Sequence, residues 1–217
     1  MLRLLVPYHH GDLRAALLDA AEDLVRERGA DGWSLREACT RIGVSPSAAY
    51  HHFASRDVLV RALSQRVLAR LGTLSAAVPG TDPRQRVIAI AQTYVRWAIS
   101  DPAVSRLAFS AGEPDAPISP HPHDVLAAEL DRLSLPSADF LVWAAMHGLA
   151  MLLADGLMRF DDDAAVDGET ARLIGALLDG LPAQLGPHPR ARSAHTDRRG
   201  SADEHGGVED LGSAGSR

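Results

Sequence analysis

The densest grouping of polar and aromatic side chains lies between residues 45 and 52. Two hydroxyl groups, a phenol and two imidazoles occur there within eight positions, in the run Ser45, Pro46, Ser47, Ala48, Tyr50, His51 and His52. Hydroxyl, phenol and imidazole groups hydrogen-bond to phosphate oxygens and to base edges. If one short helix exposes these side chains, we expect a nucleic-acid contact surface suited to a major groove.

A second grouping combines aromatic rings with one histidine. His147 follows Trp143 by four residues and precedes Met151 by four, so a helix would carry all three on one face. One interpretation is the wall of a ligand pocket, in which the imidazole makes the polar contact. The other is a core stripe that contains one hydrogen-bonded histidine. For the pocket, the further lining residues would be Tyr94, Trp97 and Phe109.

Catalytic and metal chemistry find little support in the remaining residues. The pairs His9–His10 and His121–His123 have no clustered carboxylates or thiols to complete a metal site, and the run Asp161–Asp163 lacks the late glutamate of a calcium loop. The single cysteine, Cys39, is expected to be an inert packing residue. Phosphate-loop and nucleophile-elbow motifs are missing. We therefore expect no catalytic residues, no metal site, no cofactor and no enzyme activity.

Helix signals position the first grouping in an N-terminal unit. Apolar residues recur at spacings of three and four from residue 12 to residue 28, and Gly29 follows as a C-cap. Ser34 begins a second helix that ends at Gly43, and Ser45–Pro46 begins a third of about seven residues. Two short helices around a glycine turn are the pattern of a helix-turn-helix.

Composition and start signals extend the helical pattern along the chain. Alanine and leucine dominate an apolar fraction of 46%, and aromatics are only 5%, which favours an all-α fold. A fourth helix begins at Ser55 and reaches about Ala77. Further helices are expected at 83–100, 102–110, 123–134, 136–159 and 167–185.

Residues 9–70 strongly resemble the DNA-binding domain of the TetR family of regulators. The matching positions, in order, are Gly43, Val44, Ser45, Tyr50, His52, Phe53, Ser55, Arg56 and Leu59. The resemblance implies phosphate contacts by Ser34, Tyr50, His52 and Arg56. It implies that the residues nearest the base edges are Ser47, Ala48 and His51.

The second half resembles the ligand-sensing domains of that family. Trp143, His147 and Gly148 are similar to the sub-group named for its Trp-His-Gly signature. The resemblance implies a homodimer that pairs the helices 136–159 and 167–185 in a four-helix interface. The apolar stripe expected on the last helix consists of Leu173, Ile174, Leu177, Leu178 and Leu181.

The charge distribution and breaks in the helical pattern divide the chain into three segments. The expected domains are a helix-turn-helix DNA-binding domain at 8–55, a helical-bundle sensing and dimerisation domain at 56–185, and a disordered tail at 186–217. Residues 1–75 carry 10 Arg against 8 acidic residues, whereas residues 76–217 carry 12 Arg against 20, which makes up the net charge of −6. This asymmetry is typical of a nucleic-acid-binding end joined to an acidic body.

These features predict a cytoplasmic, ligand-responsive transcriptional regulator, and more specifically a repressor that binds a palindromic operator as a homodimer. Its partners would be double-stranded DNA, a second copy of the chain and an unidentified small-molecule effector, with no membrane. One alternative is a ligand-independent DNA-coating protein, which would bind every duplex equally. The other is an enzyme with an appended helix-turn-helix, whose turnover would survive deletion of residues 1–55.

Overall fold

Nine helices account for the regular structure in the computed structural model, which describes residues 12–111 and 116–181. They are α1 (Leu13–Arg28), α2 (Leu35–Ile42), α3 (Pro46–Tyr50), α4 (Arg56–Ala76), α5 (Pro83–Ser100), α6 (Pro102–Ser110), α7 (Pro122–Arg132), α8 (Asp139–Ala154) and α9 (Asp163–Gly180). The described residues contain no strand, so the all-α prediction is confirmed. None of these helices is long and apolar enough to cross a membrane. His9, His10 and the predicted tail at 186–217 lie outside the described residues.

Polar side chains begin most of the helices, as the sequence indicates. A side-chain oxygen accepts a hydrogen bond from the first-turn backbone at Asp12, Ser34, Ser45, Ser55, Asp82, Asp101 and Asp162. Each such bond satisfies one of the N–H groups that the start of a helix leaves without a partner. Proline occupies the first turn of α3, α5, α6 and α7, where its missing N–H costs nothing.

The last helices differ from their expected bounds. The predicted helix 136–159 is shorter, because Gly156 adopts a left-handed conformation (φ 70°) and the chain turns after Ala154. The predicted helix 167–185 begins earlier, since Asp162 caps it at Asp163. The third helix has five residues rather than about seven.

Two hydrophobic clusters organise the packing. The head cluster joins α1, α2, α3, the first part of α4 and one side of α6, whereas the body cluster joins the end of α4 with α5, α7, α8 and α9. Trp97 packs against both clusters. The helix-turn-helix therefore shares its core with residues well beyond the expected boundary at residue 55, notably Leu63 of α4 and Leu107 of α6.

A buried carboxylate ties α1 to α4. Glu22 is only 3% exposed, and its oxygens accept hydrogen bonds from Arg66 at 2.7 Å and from Arg70 at 2.7 Å and 3.2 Å. Arg26 also pairs with Glu22, and its Nε donates to Asp101 at 2.7 Å, at the start of α6. One network of charges therefore connects α1, α4 and the α5–α6 junction.

Candidate nucleic-acid interface and aromatic cluster

The turn between α2 and α3 is built by local capping. Ser34 and Glu37 form a reciprocal capping box, in which the Ser34 N–H donates to the Glu37 carboxylate at 2.9 Å. Gly43 ends α2 in a left-handed conformation (φ 73°), and its N–H donates to carbonyls of the last turn. Ser45 then accepts a hydrogen bond from Ala48 N–H at 3.2 Å and begins α3. These contacts fix the direction of α3 relative to α2.

Helix α3 is anchored from one side and exposed on the other. Ala49 and Phe53 are buried in the head cluster, as the four-residue spacing indicates. The exposed side chains around α3 are Ser45, Ser47, Tyr50, His51 and His52, with Tyr50 57% exposed, while Pro46 and Ala48 are half-buried. The structure thus brings the run 45–52 together on one outward surface, which we call the α3 surface.

Arg56 is bonded to the loop between α1 and α2. Its guanidinium stacks on the Trp33 ring at 4.6 Å, and Nε donates to the Trp33 carbonyl at 3.0 Å. A second nitrogen donates to the Ala30 carbonyl. Arg56 therefore fastens the α1–α2 loop to the start of α4, a bonding role that the family resemblance did not predict.

Two arginines and a threonine near the α3 surface were not among the predicted site residues. The Arg14 guanidinium lies 5.2 Å from the Phe53 ring, beside the end of α3. Arg36 and Thr40, four residues apart, are exposed on α2. Their spacing, opposite the buried Leu35 and Cys39, could have identified them from the helical period.

The predicted pocket residues converge in the body. Tyr94 Oη and His147 Nδ1 are 2.6 Å apart, which is a hydrogen bond between α5 and α8. The Tyr94 ring lies 5.3 Å from Trp143 and 5.8 Å from Trp97, measured between ring centroids. The Phe109 ring of α6 lies 5.3 Å from His147 and 5.7 Å from Trp143. We call these five side chains the aromatic cluster.

Two further side chains lie at the edge of this cluster. Met151 is partly buried against the body cluster, one turn beyond His147, so it extends the same helix face. His123 of α7, which the pocket prediction did not include, lies 5.8 Å from the Trp143 ring, and its Nε2 is 3.4 Å from Asp139. The residue spacing within α5 and α8 gives no indication of which α7 residue lies beside them.

Burial keeps the hydrogen-bonded pair uncharged. Burial raises the pKa of Tyr94 above its usual value, and burial lowers the pKa of His147 below its usual value. Both directions favour the neutral forms near pH 7. Tyr94 is 1% exposed, whereas Phe109 is 38% exposed, so the cluster reaches the surface at α6.

Part of the apolar stripe predicted on the last helix packs within this chain, while Leu173 and Leu177 are only partly buried. Ile174, Leu178 and Leu181 are buried within the body cluster of the same chain, because this side of α9 faces α5. Exposed apolar and small residues also line one side of α8, at four-residue spacing and one neighbouring position: Phe140, Leu141, Ala144, Gly148 and Leu152.

Metal and thiol chemistry receive no support from this geometry. Within 12–111 and 116–181, no group of three or more His, Cys, Asp or Glu side chains could hold a metal ion. Cys39 is fully buried, and burial raises the pKa of its thiol, which disfavours the reactive thiolate.

Comparisons with known protein families match both halves of the chain. Residues 17–63 match the bacterial regulatory proteins of the tetR family, and residues 87–181 match the tetracyclin repressor-like C-terminal domain. The chain belongs to the TetR family of bacterial regulatory proteins. The C-terminal match does not identify the Trp-His-Gly sub-group, which stays a prediction.

Curated relatives are similar over part of the chain. The chain is 37% identical over 79 residues to the HTH-type transcriptional regulator BetI of Brucella anthropi, which is 36% of this chain and 41% of that protein. It is 34% identical over 61 residues to the HTH-type transcriptional regulator UidR of Escherichia coli K12, or 26% of this chain and 31% of that protein. The matches therefore span less than half the length of these relatives.

Solved structures match over most of the chain. A protein of unknown function from Rhodococcus sp. RHA1 has a TM-score of 0.59 at 26% identity, covering 82% of this chain and 98% of that one. The TetR-Q116A structure from Acinetobacter baumannii, solved with minocycline, has a TM-score of 0.57 at 22% identity, covering 75% and 94%. The second likeness describes the fold alone.

Proposed function

We propose that the protein is a homodimeric transcriptional repressor that binds a palindromic DNA operator and releases it when a small molecule binds the body. The observation that carries the proposal is the α3 surface, a run of exposed hydroxyl, phenol and imidazole groups that follows the capped turn. Such a protein acts in the cytoplasm, where the bacterial chromosome lies.

The DNA contacts divide into two kinds. Tyr50 and His52 contact phosphates, which position the protein without reading sequence. Ser47, Ala48 and His51 lie nearest the base edges and carry the sequence preference. The exposed residues Arg14 and Arg36 add attraction for the phosphate backbone.

A two-fold dimer accounts for a palindromic operator. The outward face of α8 carries Phe140, 57% exposed, and Leu152, 41% exposed, on either side of the small residues Ala144 and Gly148. Small residues let a partner helix approach closely, and the flanking apolar residues are buried by a second copy in a two-fold interface. Two heads related by that symmetry contact half-sites about 34–36 Å apart or somewhat wider.

The dimer has its own test. Leu152→Arg should leave the protein folded but monomeric in sedimentation velocity, because a guanidinium would be buried in the interface. Leu74→Arg is the matched control, since Leu74 is exposed on α4, away from this face. If Leu152→Arg remains dimeric, the α8 face is not the interface.

The effector site is the aromatic cluster. It combines a largely apolar lining with one polar pair, the composition of small-molecule sites. The alternative of a ligand-independent coating protein gives no role to the Tyr94–His147 pair, and no phosphate-loop or nucleophile-elbow motif supports the alternative of an enzyme.

The function is tested by selecting bound duplexes from a random library. We expect the selected sites to be palindromes, preferred over unrelated duplex by about a thousandfold or more. Selected sequences without symmetry would contradict the dimeric repressor. Equal binding to all duplexes would favour the coating protein instead.

A further inference from the structure

We propose that the aromatic cluster binds an uncharged aromatic molecule with one hydrogen-bonding group, and that this molecule takes the position now filled by the Phe109 ring. The inference rests on the proposed effector-responsive function and names the chemical class of the effector. Its physical basis is the position of Phe109 among the other four rings.

Phe109 lies close to all four other rings of the cluster. Its ring contacts Trp143 and His147 at 5.7 Å and 5.3 Å, and it lies 6.2 Å from Tyr94 and 6.4 Å from Trp97. A single phenyl ring thus touches both tryptophans and both members of the polar pair. The space it fills has the shape of a benzene ring, with ring faces and edges on several sides.

Phe109 is also the member that is easiest to displace. It is 38% exposed, whereas Tyr94 is 1% exposed and hydrogen-bonded to His147. It lies in the last turn of α6, one residue before the helix ends. Moving its side chain outward breaks no hydrogen bond. The free-energy cost of replacing the Phe109 ring with a ligand ring is therefore small.

The polar pair specifies one hydrogen-bonding group on the ligand. In either imidazole tautomer, the bond between Tyr94 Oη and His147 Nδ1 uses one donor and one acceptor. The pair therefore keeps one further donor and one further acceptor. A hydroxyl or carbonyl group on an aromatic ring can use one of them.

The surroundings disfavour a charged ligand. The one carboxylate within α8, Asp139, lies 3.4 Å from His123 Nε2, and the guanidinium of Arg106 on α6 is paired with Asp155. Arg106, the one basic residue of α6, is therefore already compensated and is not free to pair with an anion among the rings. A cation could still be attracted by ring faces, so cationic probes are the strongest test of the neutral assignment.

Three probes of similar shape separate the ligand classes: benzyl alcohol, benzoate and benzylammonium. Binding is followed by calorimetry and by the change in tryptophan fluorescence, to which Trp97 and Trp143 of the cluster contribute. We expect benzyl alcohol to bind and both ions to bind about tenfold more weakly or worse, because neither ion gains a partner for its charge. A higher affinity for either ion than for the alcohol would overturn the proposal.

Variants locate the binding site. Phe109→Ala should strengthen binding of benzyl alcohol about tenfold, because no ring then competes for the space. Tyr94→Phe should weaken it about three- to tenfold, because one hydrogen bond is lost while the ring is kept. The matched control is Leu74→Ala, an exposed apolar residue on α4, and it should not change the affinity.

The outcomes separate the ligand class from the regulatory function. If benzyl alcohol does not bind up to about 10 mM, or if Phe109→Ala does not strengthen its binding, the proposed site is wrong even if the protein binds an operator. If the probe ranking and variants behave as expected but no operator is selected, the ligand site stands and the repressor function fails.

Discussion

Replacing Glu22 with glutamine should lower the stability of the protein substantially. Glu22 is buried and accepts hydrogen bonds from Arg26, Arg66 and Arg70, two on α4 and one on α1. The amide keeps the volume of the side chain but removes its charge. Three guanidinium groups then share a site with no carboxylate at its centre.

The magnitude follows from the burial of the partners. Removing one member of a buried ion pair typically costs about 3–5 kcal/mol. Arg26 and Arg70 are about half exposed, so water can solvate their guanidinium groups again. We therefore expect the free energy of unfolding to fall by about 2–3 kcal/mol. In a protein of this size that corresponds to a fall in thermal midpoint of roughly 5–10 °C.

The pH dependence gives the prediction a second readout. Burial alone would raise the pKa of Glu22, but hydrogen bonds and charge from Arg70, with Arg26 and Arg66, lower it below its usual value of 4.5. A carboxyl group with a lowered pKa stabilises the folded state above its unfolded pKa, and this contribution is lost as the pH falls through the folded value. The Glu22→Gln variant should therefore lose less stability in acid than the unmodified protein does.

The assay is thermal unfolding from pH 7 to pH 3, with Glu37→Gln as control. Glu37 also pairs with an arginine, Arg28, but it lies at the surface, and glutamine can replace it in the capping box. If Glu22→Gln and Glu37→Gln lower the midpoint equally, the buried network does not stabilise the junction of head and body. Unchanged acid behaviour in Glu22→Gln would contradict the assigned pKa shift.

Three further predictions concern the two sites. Tyr50→Phe should weaken binding to selected and shuffled duplexes alike, because a phosphate contact carries no sequence information; an altered base preference would contradict this. Arg56→Ala should lower the thermal midpoint, since stacking on Trp33 and two carbonyl bonds are lost. Arg56 would instead be a phosphate contact if the midpoint is unchanged and the slope of log binding constant against log salt concentration decreases in magnitude by about one. The pKa of His147 is lowered by burial, so stability measured by denaturant titration should fall below about pH 6.5, where the unfolded imidazole takes up a proton. His147→Asn should flatten that dependence, and an equal slope in both proteins would refute it.

Local signals predicted the N-terminal half well. Helix α1, the capping box at Ser34, the turn at Gly43 and the start of α3 at Ser45–Pro46 depend on neighbouring residues, and the structure has all of them. Helices α5 and α6 have the expected bounds for the same reason. Caps and helical period are properties of adjacent residues, so the sequence alone determines them.

Contacts between distant residues were harder to predict. The period of α9 identified an apolar stripe at Ile174 and Leu178, but it could not say whether the same chain or a second copy covers that stripe. Arg56 matches a family position, yet its contact with Trp33, 23 residues earlier, is a matter of tertiary packing. The convergence of Tyr94 and His147 was proposed from ring types and helix faces, whereas their hydrogen bond required the structure.

The central claim is that the α3 surface reads a specific DNA sequence as part of a dimer. The most direct measurement is the ratio of dissociation constants for a selected duplex and a shuffled duplex of the same composition, at one salt concentration, with the number of chains per duplex determined in parallel. We predict a ratio of about a thousand or more and two chains per selected duplex. A ratio near one, or a single chain on each duplex, would contradict it.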